Sequence, residues 1–529
     1  MTVILSQTPM GEWDRWVVLD GPDHGLPPHQ RCPDLGSSLE RAFDSIADDW
    51  WDLGRRLGSE SSARLSHAPA AVANASDLGL MMAWTKLVAE WAESSTQVLV
   101  LTRDPWLFRH LAALPGVQAG KKPSILKRSL GLWLRGYAAR TLAALRVAKA
   151  ALVLKHHRAS SSKGGAYLLV YGHPASTPEG HDAYFGSCLT EVPDLSRLLH
   201  ADCSAARAVE LAQGGRTRSI HAWGNPLHAL FRLPLARWSP TAGRENWLVR
   251  RAAALEGGTG QAAMIAWQIH CQDRWLDQVR PDLVAWPWEN HSWERCFVRS
   301  ARRLGIQTVG YQHSVVGRQM LNYAARSNFD PQASLPDRVL CSGAATAKQI
   351  MDWGMPESRI SIGGGLRFPR PITITPAPLA PIFLALPFDQ SVAAEMVEAA
   401  RAATAHGWRF VVRDHPMTPY AFTPQPGLEP ATGPLSDYSE LAGVVYAATT
   451  VGLEALLAGL PVLRFRSRTR IAIDILPAGI SVPTTDAEHL PESLAALTPP
   501  ERLDREWIFG TPDMEKWRRI LQLNRPLAG

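Results

Sequence analysis

From residue 166 onward, short apolar runs alternate with stretches whose apolar positions recur at helical spacing. AYLLVYG (166–172), DLVAWPWE (282–289), QTVGYQH (307–313), RVLCSG (338–343) and RISIGGG (359–365) are the first series of runs. Most of them end in Gly, His or Glu. The pattern then breaks and resumes with PIFLALP, a helical stretch over 391–405, WRFVVRDHP, a loop, GVVYAATT, another helix and PVLRF. A repeated order of strand, loop and helix predicts a parallel sheet covered by helices on its faces. Two such series predict an α/β protein of two Rossmann-like domains, over 166–370 and 371–500, with a helical tail over 501–529. The break, residues 369–381, holds five prolines in thirteen positions and is expected to be the linker between them.

The first 118 residues carry the same kind of signal more weakly. VVLD (17–20) and QVLVLT (97–102) read as strands of a small α/β extension. Residues 119–165 form a different segment, KKPSILKRSLGLWLRGYAARTLAALRVAKAALVLKHHR followed by a Ser/Lys/Gly connector. On a helix, Leu134, Tyr137, Thr141, Leu145, Ala148 and Leu152 share one stripe, with Arg128, Arg135 and Arg146 on its flank. The stripe is only moderately apolar. It suits either an ordinary packed helix or one resting on an anionic membrane surface.

Charge sharpens that segment. The chain of 529 residues has a formal net charge of +6, yet no acidic residue lies between Asp104 and Glu179, where twelve lysines and arginines occur. The remainder, 43 basic against 49 acidic residues, is net acidic, so the positive excess is local. The length calls for more than one core. The six scattered cysteines show no C-x-x-C pair or metal-ligand spacing and read as reduced thiols. No secretory leader and no apolar run of spanning length is evident, so a cytoplasmic protein, peripheral at an inner membrane, is expected.

In open parallel sheets ligands bind beyond the carboxyl ends of the strands. In the C-terminal series those ends carry Arg413, His415 and Pro416, and then Thr449, Thr450, Val451 and Gly452. A Thr cap with Gly in the first helical turn predicts outward backbone N–H groups at a positive dipole end, suited to a phosphate. Arg413 and His415 would add donors. Glu454, one turn into that helix, suits the dipole or accepts from a nucleoside. In the first series the ends carry His173, Glu179 and Asp182 after one strand, Glu289 and Asn290 after another, and His313 after a third. A carboxylate or imidazole there can take a proton from an attacking hydroxyl. Glu289 is the first choice of base, with His313 or Asp182 second, and His173, Glu179 and Asn290 are placed on the acceptor side. No D-x-D pair, Walker lysine motif or G-x-S-x-G elbow occurs, so no metal and no resident cofactor is expected.

RDHP and TTVGLEALLAGLPVL resemble the His-Pro and Ser/Thr motifs of bacterial transferases that use CMP-sugars, the sialyl-, polysialyl- and capsule Kdo-transferases. The overall pattern resembles a GT-B glycosyltransferase over roughly 166–500. WPWENHSWER, VGYQHS and GGGLRF, with Gly364, also resemble bacterial surface-carbohydrate proteins of O-antigen or capsule synthesis. The resemblance implies a nucleotide-sugar donor, a glycan or lipid-linked acceptor and donor contacts from His415, Pro416, Thr449 and Thr450. It departs at the catalytic acidic-acidic-Gly motif, for which PEG (178–180) is one acid short. Nor are there two glutamates eight apart after the donor loop, as retaining enzymes often carry, so inversion is expected. A teichoic-acid-type polyol-phosphate transferase, a sugar-nucleotide epimerase and a non-catalytic glycan-assembly subunit remain open. Nucleic-acid binding through 121–158 is the weaker rival and is not expected.

Overall fold

The computed structural model describes residues 2–68, 70–71, 75–158, 163–241, 246–368 and 371–522. Parts of the connector (159–162), the first two linker residues (369–370) and the end of the tail (523–529) lie outside them. Three parallel sheets organise the chain. The first contains β1 (Val3–Ser6), β2 (Arg15–Val18), β3 (Val98–Leu101) and β4 (Val117–Ala119) in the order β2-β3-β1-β4. The sequence shows β2 and β3 but not the interior strand β1 or the three-residue edge strand β4.

The second sheet holds β5 (Ala166–Val170), β6 (Ser196–Leu199), β7 (Thr217–Ser219), β8 (Leu283–Pro287), β9 (Gln307–Gln312), β10 (Arg338–Cys341) and β11 (Ile360–Ile362). Its order is β11-β10-β9-β8-β5-β6-β7. Within the linker lies β12 (Thr375–Pro376), and after it come β13 (Ile382–Ala385), β14 (Phe410–Arg413), β15 (Leu428–Pro430), β16 (Glu440–Leu441), β17 (Gly443–Tyr446), β18 (Val462–Phe465) and β19 (Thr484–Thr485). Six of these form the third sheet, β15-β14-β13-β17-β18-β19, while β12 and β16 pair separately. The central strands are buried almost without interruption, as expected for parallel strands covered on both faces. Both larger sheets run outward from their first strand in two directions, the doubly wound order of a Rossmann fold. Two such domains facing one another give the GT-B arrangement.

The tail returns to the second sheet. Helix Met514–Leu521 buries Trp517 against Phe185 and Tyr311, and its indole donates to the Gly363 carbonyl at 2.8 Å. The N-terminal unit touches both larger domains. Arg251 is held by Asp77 at 2.7 Å and by Asp104 at 2.5 Å, and the Trp51 indole donates to the Leu321 carbonyl at 3.0 Å. On the other side, buried Glu40 receives the buried Arg464 guanidinium and, at 2.9 Å, Arg466. Gln319 completes the junction, donating to Asp44 and accepting from the Asp474 backbone, both at 2.8 Å.

The basic segment is one helix, Ile125–Leu154. It packs on helices Pro226–Arg232, Trp247–Gly257 and Gln261–Val279. Its inward face is built from small residues such as Gly136, Ala143, Ala144 and Ala151. At Gly136 an added Cβ would lie 1.8 Å from the Gly257 carbonyl oxygen, so only glycine permits this approach. Of the expected stripe, Ala148 turns inward and Thr141 is half-buried, whereas Leu134, Tyr137, Leu145 and Leu152 face outward. Small residues, which let the backbones approach, won the packing face over the larger leucines. Among the described residues no helix is long and apolar enough to cross a membrane.

Candidate functional site

In the second sheet the strand order reverses between β5 and β8, and in the third between β13 and β17. Loops that diverge at such points leave a crevice at the carboxyl ends. Residues just past β8 and β17 take left-handed backbone there, Asn290 at φ 59° and Ala448 at φ 49°. Glu289 therefore stands at the reversal point of one sheet and the Thr449–Thr450 turn at that of the other.

Glu289 accepts a 2.7 Å contact from His291 Nε2. Water reaches 36 % of its side chain, yet surrounding protein raises its pKa to about 7 by burial, against which the charge of Arg367 acts. Burial pushes His291 down to about 3, so the imidazole is neutral, and the tautomer with its proton on Nε2 donates to the carboxylate. His67 of the N-terminal unit lies edge-on to His291, ring centroids 5.7 Å apart, and burial lowers it to about 4. That unit thus forms part of the cleft floor, a role nothing in residues 1–118 announces.

Glu294 lies directly beneath. Trp286 Nε1 donates to it at 3.0 Å, and the backbone N–H groups of Glu289 and Asn290 at 3.1 Å each. It is fully buried, and burial raises its pKa to about 8. Its role is to fix the loop that presents Glu289. An unfolded carboxyl releases its proton near ~4.3. Between there and about 8 the folded chain holds more protons than the unfolded one, so stability falls as pH rises through this window. Glu294→Gln is expected to lessen the drop in melting temperature between pH 5 and pH 8.5. An unaltered slope would rule out this origin.

The group that joins the two domains is Arg367, in the GGGLRF stretch but not singled out by the sequence. It is exposed, its guanidinium 5.9 Å from the Tyr184 ring and 5.5 Å from Phe368, and among the described residues it makes no hydrogen bond or ion pair. Its charge acts on Glu289, His173 and His313 from one domain and on His415 and Glu454 from the other; in each, burial is the larger influence and Arg367 the next. An unpaired guanidinium between two sheet ends is a natural anion holder. Around it Tyr184 packs edge-on to His313 at 4.9 Å and to His173 at 5.9 Å, and His415 packs edge-on to Phe388 at 5.5 Å. Burial lowers His313 to about 3 and leaves its Nδ1 without a partner among the described residues.

Several expected site residues do other work. Asp182 is buried against Arg197 at 3.6 Å and accepts from the backbone N–H groups of Tyr184 and Phe185, so these contacts use its carboxylate to shape its loop. Asn290 is fully buried, donating to the Asn322 carbonyl at 2.9 Å and to Asn328 at 2.8 Å, which removes it from the acceptor side. Glu179 is exposed on its loop, held low by its own backbone N–H and by Thr177, and no contact brings it to Glu289. Gly364, at φ 82°, lies under the tail, where a Cβ would come 2.6 Å from the Thr511 carbonyl. It is a packing glycine, not a donor contact.

The donor-side motif is also rearranged. Helix Val451–Leu457 has Thr450 as its first cap residue, but the hydroxyl makes no capping bond and reaches Glu454 at 3.4 Å instead. Gly452 is required because a Cβ would lie 2.5 Å from the Tyr446 ring. Thr449, Thr450 and Val451 remain half-buried at the strand end. β14, which carries Arg413 and leads to His415 and exposed Pro416, is separated from β17 by β13. The two motifs therefore stand two strand spacings apart, about 10 Å, and flank the β13 end rather than touching.

No family model matches the chain, and no curated protein matches it. Solved structures do. They include a UDP-GlcNAc 2-epimerase of Methanocaldococcus jannaschii in complex with UDP-GlcNAc and UDP, at 10 % identity, covering 68 % of this chain and 99 % of that one, with a TM-score of 0.41. CalG4, the calicheamicin glycosyltransferase, is similar at 13 % identity over 68 % of this chain and 98 % of its own, TM-score 0.41. An S. aureus MnaA–UDP co-structure gives 12 % identity, 68 % and 95 % coverage and a TM-score of 0.39. At such scores the likeness adds nothing to what the sheet orders themselves show.

Proposed function

We propose that the chain is an inverting, nucleotide-sugar-dependent glycosyltransferase. The observation behind this reading is Arg367, an exposed cation, unpaired among the described residues, whose charge acts on Glu289 from one domain and on His415 and Glu454 from the other. In this reading the donor phosphate lies against Arg367 and His415, with Arg413 and the Thr449–Thr450 turn at its edges. Glu289, near half-ionised at neutral pH, takes the proton of an acceptor hydroxyl as that oxygen attacks the anomeric carbon. The bond from that carbon to the phosphate oxygen breaks, and the cationic side chains meet the charge left on the nucleotide. Glu454 faces the nucleoside. The donor is CMP-linked, following the RDHP and TTVGLEALLAGLPVL resemblance, and the acceptor is a glycan on a lipid carrier of a bacterial surface polysaccharide.

Thermal-shift titration with CMP, UDP, GDP and CDP tests the nucleotide. CMP is expected to stabilise the protein, and Arg367→Ala to weaken that binding about 10- to 100-fold, the worth of a charge-assisted hydrogen bond pair. His415→Ala should weaken it as well. Stabilisation by UDP alone would overturn the CMP donor, and no response to any nucleotide would overturn the whole reading. Conversion of a sugar nucleotide to its epimer without an acceptor would make the protein an epimerase.

A further inference from the structure

We infer that helix Ile125–Leu154 and the adjoining segment 226–237 form one surface that seats on an anionic lipid bilayer. The inference rests on surface residues remote from the cleft assignments and stands apart from the transfer chemistry.

The helix has three sectors. Its small residues face the protein, as described above. The next sector presents Leu126, Leu130, Trp133, Leu134, Tyr137 and Leu145 to solvent, with Leu126 at 83 % and Trp133 at 53 % exposure. The third carries exposed Lys127, Arg128, Arg135, Arg146 and Lys149. Segment 226–237 packs along the helix, its Pro234 carbonyl bound by Arg140 at 3.0 Å, and adds exposed Leu227, Phe231 and Leu235, with Phe231 at 73 %. Arg232 and Arg237 are exposed beside them.

So many outward leucines and aromatics on two touching elements exceed the scattered apolar residues of an ordinary surface. Charge selects the occupant. No acidic residue lies between Asp104 and Glu179 or between Glu210 and Glu245, so neither element that carries the apolar strip contributes an acidic side chain, and both contribute cations. A second copy of this surface would bring like charges together. A nucleic acid would leave the leucines and Phe231 without a partner. An anionic bilayer takes both, burying the apolar strip at the level of the acyl boundary while headgroups meet the lysines and arginines. Trp133 and Tyr137, ring centroids 6.2 Å apart, suit the interfacial layer.

Flotation of the full-length protein with vesicles tests this, using phosphatidylcholine alone or an equal mixture with phosphatidylglycerol. Binding is expected to the mixed vesicles and to fall steeply with salt. The triple variant Trp133→Ser, Leu134→Ser, Phe231→Ser and the triple variant Lys127→Glu, Arg128→Glu, Arg146→Glu should each weaken it on the order of 100-fold. Nucleotide-induced thermal shifts of both variants should stay at the wild-type value, which also verifies their folding. No flotation with mixed vesicles overturns the inference. So does binding that the serine variant leaves intact, which would mark a purely electrostatic surface such as one for nucleic acid. A wild-type dimer that the serine variant turns into monomer, without flotation, would assign the face to a second copy.

Discussion

Glu289→Gln is expected to lower turnover about 1,000-fold while donor binding stays within a factor of a few. Loss of a positioned general base costs typically 10²–10⁴ in rate. The substitution keeps the side chain's shape and its hydrogen bond to His291, so the loop held by Glu294 should not move. Glu289 is placed on the acceptor side of Arg367, which is why donor affinity should survive. In the wild type, kcat/KM should fall below a pH near 7, where the carboxylate takes up its proton. Arg367 favours the ionised form, so in Arg367→Gln that acid limb should move to higher pH. Turnover of Glu289→Gln within tenfold of wild type would remove Glu289 from the role and leave His313 as the test case. His313→Ala would then show the larger loss.

The largest expected effect on stability is at Glu40. Its carboxylate is 4 % exposed and receives Arg464, itself 1 % exposed, together with Arg466. Glu40→Ala leaves a buried guanidinium with the Ala472 carbonyl at 2.9 Å and with Asp474 no nearer than 3.9 Å. Removing one member of a buried pair typically costs roughly 3–5 kcal/mol, because the other charge stays desolvated. Thermal unfolding should shift markedly downward, and hydrogen exchange should rise first at β18 and at helix Leu35–Asp44. Replacing both partners, as in Glu40→Met with Arg464→Leu, should recover much of the loss. A single variant as stable as wild type would show that Asp474 takes over the guanidinium.

The sheet strands of the two larger domains were legible because parallel strands covered on both faces are written as continuous apolar runs. The short strands β6 and β7 were not, since SRLL and TRS give too little pattern. Strand-end placement was legible as well, which brought Glu289, His313 and His415 into consideration. What separated Glu289 from Asp182 was invisible in one dimension. Both are acids in polar loops after strands, but Arg197 reaches Asp182 from the neighbouring strand, fifteen residues further on. Arg367 reads as an ordinary loop arginine until it is seen between the two sheet ends with no carboxylate paired to it among the described residues. The TTVGLEA turn looked like a capped helix with a ligand-facing glycine, yet the Tyr446 ring six residues earlier is what demands Gly452. His67 lies far from His291 in sequence, and only the docking of the N-terminal unit joins them.

The Glu40–Arg464 pair spans 424 residues of chain. On a ribosome adding about 5–20 residues per second, Glu40 emerges roughly 20 to 80 seconds before its guanidinium exists. Through that interval helix Leu35–Asp44 carries Glu40 as a carboxylate on the face it will later bury, without its guanidinium partner. The docking that seals the pair is among the last events of biosynthesis, and a chain truncated before β18 would keep an acidic face open to solvent.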